Sequence, residues 1–216
     1  MSPMRHVYLH GFASSPASTK ARYFAERLRG HGIPLDIPDL AQGDFEHLTL
    51  SSQLAVVDRA TAGEQSVLIG SSLGGYIAAL YASRHAHVNR LLLLAPAFCF
   101  PSRYPAELGK ETLENWRQTG LLPVFHYAHG EPRNLSYSIV EDGRRYEDFP
   151  DFTQPAILAH GLHDTVVPAS LSREYSVSHP NVRLHLLDSG HQLTNVLDQI
   201  WQFSGPFLEG KVSQPA

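Results

Sequence analysis

The chain has 216 residues, 43% of them apolar and 18% charged, enough for one domain with a sizeable core. Its formal charge of −4 and the lack of any basic run weigh against nucleic acid or an anionic membrane surface as partner. No stretch approaches the roughly 20 apolar residues that span a bilayer, and a single cysteine, Cys99, excludes an intramolecular disulfide.

The opening Met1-Ser2-Pro3-Met4-Arg5 has no apolar h-region, so no signal peptide is expected and a cytoplasmic location is the default. Arg5–Leu9 is a short apolar run stopped by Gly11 and predicts a buried strand. Pro16 opens a helix to about Gly30. Pro34–Leu40 predicts a second strand, and Leu48–Ala62 a helix ended by Gly63. Ser66–Gly70 is a third strand, Leu73–Ser83 a helix, and Arg90–Ala95 a fourth strand stopped by Pro96.

The alternation then breaks between Ala97 and Phe152. Pro105–Thr119 reads as one helix; Leu122–Ala128 and Asn134–Val140 read as two strands around the turn His129-Gly130-Glu131-Pro132. The alternation resumes with a strand at Ala156–His160, a helix at Ala169–Ser178, a strand at Val182–Leu187 and a closing helix at Leu193–Leu208. Strands alternating with helices predict a mostly parallel α/β sheet of about six strands with helices on both faces. The expectation is a single domain over 1–216, with a cap inserted at about 97–152.

The chemistry centres on Gly70-Ser71-Ser72-Leu73-Gly74, which fits G-x-S-x-G in one frame only and makes Ser72 the candidate nucleophile. A serine hydroxyl needs a neutral imidazole as base and a carboxylate to orient that imidazole. His191, in Asp188-Ser189-Gly190-His191-Gln192, follows the sixth predicted strand, and Asp164 follows the fifth. Asp164 also suits a helix N-cap, and Asp188 is the rival acid. The oxyanion of a tetrahedral intermediate needs two donors. The Leu73 N–H at a helix start and the Phe12 N–H after His10-Gly11 are the candidates.

Phe98, Trp116 and the Phe12 side chain are expected near an acyl pocket, the other cap aromatics as packing. Cys99 reads as a small core or pocket residue. The pairs His126/His129 and His160/His163 match no zinc spacing, and neither Gly109-Lys110-Glu111 nor any other segment forms a phosphate or dinucleotide loop. No cofactor and no metal are therefore expected.

Taken together these residues resemble the α/β-hydrolase superfamily. Tyr8-Leu9-His10-Gly11-Phe12-Ala13-Ser14-Ser15-Pro16 with Lys20, and Gly70-Ser71-Ser72-Leu73-Gly74-Gly75-Tyr76, resemble small bacterial esterases of the YqiA type. Asn134–Asp142 is similar instead to acyl-protein thioesterases of the mitochondrial abhydrolase type, and His160–Pro168 fits both. The resemblance implies Ser72, Asp164 and His191 as a triad, the Phe12 and Leu73 amides as an oxyanion hole, and ester or thioester hydrolysis without a cofactor. The expected function is a serine carboxylesterase for short to medium acyl chains, acting on a small-molecule ester. The alternatives are an acyl-CoA or acyl-protein thioesterase, a carbon–carbon bond hydrolase, and a non-catalytic binding protein on the same fold.

Overall fold

A computed structural model describes residues 4–212. Residues 1–3, part of the segment read as lacking an h-region, and residues 213–216 lie outside the described residues. The elements follow in chain order: β1 (Arg5–Leu9), α1 (Thr19–Gly30), α2 (Leu50–Thr61), β2 (Ser66–Ser71), α3 (Leu73–Ala82), β3 (Val88–Leu94), α4 (Phe100–Glu107), α5 (Lys110–Thr119), β4 (Leu121–His126), β5 (Glu131–Ser136), α6 (Ser138–Gly143), β6 (Ala156–Gly161), α7 (Ala169–Ser178), β7 (Val182–Leu187) and α8 (Leu197–Leu208).

Five strands form one parallel sheet in the order β1-β2-β3-β6-β7. The inner strands are buried along their whole length apart from Asn89 at the start of β3, which is why they read as continuous apolar runs rather than alternating ones. The two-residue period of a strand still divides their side chains. Leu9, Leu68, Leu91, Leu93 and Leu158 pack on one face with α2, α3 and Tyr175 of α7. Tyr8, Ile69, Leu92, Leu94 and Ile157 pack on the other with Phe24 and Leu28 of α1 and Ile200 and Phe207 of α8. Helices therefore cover both faces. None of the described helices is long and apolar enough to cross a membrane.

Three expectations need correction. The segment 34–40 forms no sixth strand: it contributes a single parallel bridge, in which Asp36 N donates to His6 O (2.9 Å) and Tyr8 N to Asp36 O (2.8 Å). Pro34 and Pro38 lack the N–H groups that would extend the ladder. The helix expected at 105–119 is two helices, broken at Gly109, whose φ of +79° is left-handed. The strand expected over 134–140 starts at Glu131 and stops at Ser136. Residues 138–143 turn into α6, where Asp142 accepts from Ser51 N (2.8 Å) and Ser51 Oγ (2.5 Å) while Ile139 and Val140 are buried. Tertiary anchoring overrides their β-branched preference.

Candidate active site

All five strands run the same way, so their carboxyl ends share one edge of the sheet, and the loops there meet. Ser72 leaves β2 with φ 54° and ψ −120°, a conformation that side chains rarely adopt and that costs about 1–3 kcal/mol. Two glycines make the turn possible by close approach. A Cβ on Gly70 would lie 2.3 Å from Gly74 O, and one on Gly74 would lie 2.2 Å from Leu9 O. The turn thus holds α3 against β1 and β2 at a distance no larger residue permits. It lifts Ser72 to the edge of a cleft of about 620 Å³.

His191, after β7, presents its Nε2 to Ser72 Oγ at 3.0 Å, and its Nδ1–H donates to Asp164 Oδ2 at 2.7 Å. The three side chains form one hydrogen-bonded chain contributed by three different strand ends. The Asp164 side chain is fully buried and its two oxygens are saturated. Oδ1 accepts from Val166 N and Val167 N, both at 2.8 Å, while Oδ2 also lies 3.1 Å from His160 Nε2. Burial alone would raise this carboxyl, but the bonds from His160, His191 and Val167 outweigh it and hold it well below the usual carboxylate range. These backbone contacts close a turn over residues 164–167 and do not cap a helix: the N-cap of α7 is Pro168, with no side-chain cap bond, so the N-cap reading of Asp164 is corrected. Asp188 does not compete: its exposed carboxylate pairs with exposed His163 at 2.9 Å.

The Leu73 N–H opens α3 and has no intrahelical acceptor. Neither it nor the Phe12 N–H donates to any acceptor among the described residues. Gly11 sets the second amide beside the serine, since a Cβ there would sit 3.3 Å from Ser72 Cβ. His10 fixes this loop from behind: its Nδ1–H donates to Gly11 O (3.0 Å) and its Nε2 accepts from Leu40 N (3.1 Å). Burial lowers the His10 pKa and favours this neutral form.

Phe12 lines the cleft with Tyr127, Ala128 and Val166, and its ring packs against Phe45, Phe100 and Tyr104. Phe98 and Trp116, expected there, do not line it. Phe98 is fully buried and stacks on Tyr175 with ring centroids 4.2 Å apart. Trp116 is fully buried and donates from Nε1 to Leu135 O at 2.9 Å. Phe98 thus joins the 97–152 segment to α7, while Trp116 ties α5 to β5 within that segment. The tip after β4 reaches the cleft instead, with Tyr127 N donating to Ala13 O at 2.9 Å. Cys99 is half-buried beside Asp148, and burial first, then that carboxylate, push its thiol up to about 11.

Three further side chains belong to the site although their spacing does not mark them. His160 is wholly buried, its Nδ1 accepting from Ser172 Oγ (2.7 Å) and its Nε2–H donating to Val167 O (2.9 Å) as well as facing Asp164. Lys20, on α1, donates from Nζ to Gln192 O at 2.9 Å, next to His191. Tyr8, on β1, lines the same cleft. Only the burial of these groups reveals them, and burial is a property of the folded chain.

Solved structures share this architecture. A candidate hydrolase of Agrobacterium vitis S4 superimposes with a TM-score of 0.78 at 25% identity over 92% of this chain and 85% of its own. Est1E from Butyrivibrio proteoclasticus, with ferulic acid bound, gives 0.81 at 22% identity over 98% and 90%. Mouse alpha/beta hydrolase domain-containing protein 10 gives 0.80 at 19% identity over 98% and 92%. No curated protein matches the sequence significantly. The fold is that of the α/β hydrolases. A family model described as an uncharacterised protein family, UPF0227, matches residues 5–205, and the chain belongs to that family.

Proposed function

We propose that the protein is a serine hydrolase acting on carboxylic esters of short to medium acyl chains. The observation that carries this reading is the unbroken chain Ser72 Oγ–His191 Nε2 and His191 Nδ1–Asp164 Oδ2 at 3.0 and 2.7 Å. His191 takes the Ser72 proton as the hydroxyl attacks the acyl carbonyl. Asp164 keeps the imidazole in the reactive tautomer and stabilises its charged form. The Phe12 and Leu73 amides bind the oxyanion, and loss of one such donor costs about 3–4 kcal/mol in the transition state. The protonated His191 then protonates the leaving alcohol, and a water molecule repeats the cycle on the acyl-enzyme. No step calls for a cofactor.

The unused amides beside Ser72 and the apolar wall of Phe12, Tyr127 and Val166 support an acyl substrate. We further propose that the segment 97–152 acts as a cap on a single domain, its tip at Tyr127–Ala128 forming one side of the cleft. Ser72→Ala protein is expected to fold normally and to lose turnover of p-nitrophenyl butyrate. Activity near that of the wild type would remove Ser72 as nucleophile. Matched oxygen and thiol esters, compared by kcat/KM, then separate an esterase from a thioesterase.

A further inference from the structure

The cleft has two chemically different ends. One is the apolar wall of Phe12, Tyr127 and Val166; the other is lined by Tyr8, Ser18, Thr19, Lys20, Ser71 and Gln192. Lys20 is more than nine-tenths buried yet carries an ammonium with three N–H donors. Gln192 O takes one of them, and no other acceptor for Nζ occurs among the described residues. The Tyr8 hydroxyl is fully buried with no hydrogen-bond partner among the described residues. Burial raises its pKa, so it stays a neutral donor, and Ser71 and Ser18 lie near it without bonding geometry.

Leaving such groups unsatisfied is costly, and a fold retains them where a ligand completes them. The twelve-residue α1 adds its N-terminal turn, capped by Ser18, at the same end of the cleft. Its first amides have no intrahelical acceptor and its dipole favours negative charge there. Three sets of donors, two of them on α1, therefore line this part of the cleft, and beyond Gln192 O and the Ser18 cap they meet no acceptor among the described residues. Asp164 is no such acceptor, because its oxygens are already taken.

We propose that this polar end is a subsite for a carboxylate on the alcohol part of the substrate ester, with Lys20 and Tyr8 as its specificity-determining residues. The assignment to the alcohol rests on the proposed mechanism: the leaving oxygen must reach His191 Nε2, and Lys20 is bound to the residue after His191. The acyl part then lies along the apolar wall. The substrate class is an ester of a hydroxy acid, and the product alcohol carries the charge.

The test compares phenyl butyrates bearing either a meta carboxylate or the neutral meta carboxamide. At pH 7 the wild type is expected to favour the carboxylate by about tenfold or more in kcat/KM, the scale of one charge-assisted hydrogen bond. Lys20→Met should erase that ratio, Tyr8→Phe should reduce it, and Lys20→Arg should restore part of it. The ratio is internal to each variant, so a general loss of rate does not mimic the effect. Binding of 3-hydroxybenzoate and of 3-hydroxybenzamide to the Ser72→Ala protein, by calorimetry, reads the subsite with no turnover. Tighter binding of the carboxylate, lost in Lys20→Met, supports the proposal. Equal binding, or a carboxylate preference that survives Lys20→Met, overturns it. Failure of the esterase reading is visible separately, as turnover that survives Ser72→Ala.

Discussion

Asp164 shows how much one side chain can carry. It accepts from two backbone amides, faces His160 and orients His191. Asp164→Asn keeps the shape but offers an N–H where an acceptor is needed, which favours the wrong imidazole tautomer. Its kcat on p-nitrophenyl butyrate should fall by on the order of 10⁴, whereas Asp188→Asn should leave the rate close to wild type. Lys20 supplies a pH dependence. Burial lowers its pKa to about 8, with Asp164 opposing that fall, and Asp164, His191 and Tyr8 are the titratable groups beside it. The carboxylate preference should therefore shrink as pH rises through about 8, where the ammonium loses its proton while the ligand keeps its charge. A preference constant from pH 7 to 9.5 would contradict this assignment. At this scale the sequence was legible for residues whose type, order and strand-end position all point to one chemistry: Ser72, Asp164 and His191. It was not legible for His160, Lys20 and Tyr8, whose place in the site depends on burial. Nor did it separate Phe12, which lines the cleft, from Phe98 and Trp116, which pack beneath it.

Among the elements, the β2–α3 turn is the most tightly constrained. A methyl group on Gly74 would press on the Leu9 and His10 carbonyl oxygens at 2.2 and 2.5 Å, both of them backbone atoms with no side chain to move aside. Gly74→Ala should accordingly destabilise the fold by at least about 3 kcal/mol, at the severe end for single substitutions, as read from urea denaturation. A variant as stable as wild type would mean that α3 and β1 are not packed this closely. Several elements have the bounds that were expected: β1 and β7 from their apolar runs, and α7 although its residues carry no strong apolar stripe. The misread ones depended on distant partners. Segment 34–40 has strand-like residues, but its prolines allow only one bridge. Residues 138–140 look like a strand until Ser51, far along the chain, holds Asp142 and closes a helical turn.

Across the molecule, the buried site makes stability depend on pH. The folded-state pKa of Asp164 lies below its unfolded value of about 3.9. Its contribution is thus fully present above that value and is lost as pH falls below it. Lys20 acts at the other end: its folded pKa of about 8 lies below the ordinary 10.5 of a lysine, so protonation favours the unfolded chain and this penalty fades as pH rises from about 8 to 10.5. Urea midpoints should fall below pH 4 less steeply in Asp164→Asn than in wild type. The parallel sheet, legible from alternating strand and helix patterns, places β1, β2, β6 and β7 so that their loops meet at one edge. The path of residues 97–152 was only partly legible, because helix breaks and the hairpin register are set by contacts with the body.

The central claim is that Ser72 is a nucleophile activated by His191 and Asp164. The most direct measurement is treatment of the native protein with a fluorophosphonate, followed by mass spectrometry of its peptides. One adduct, on the peptide bearing Ser72 and absent from His191→Ala protein, is the predicted result. An unlabelled Ser72 in folded wild-type protein, or an equal adduct without His191, would contradict the account.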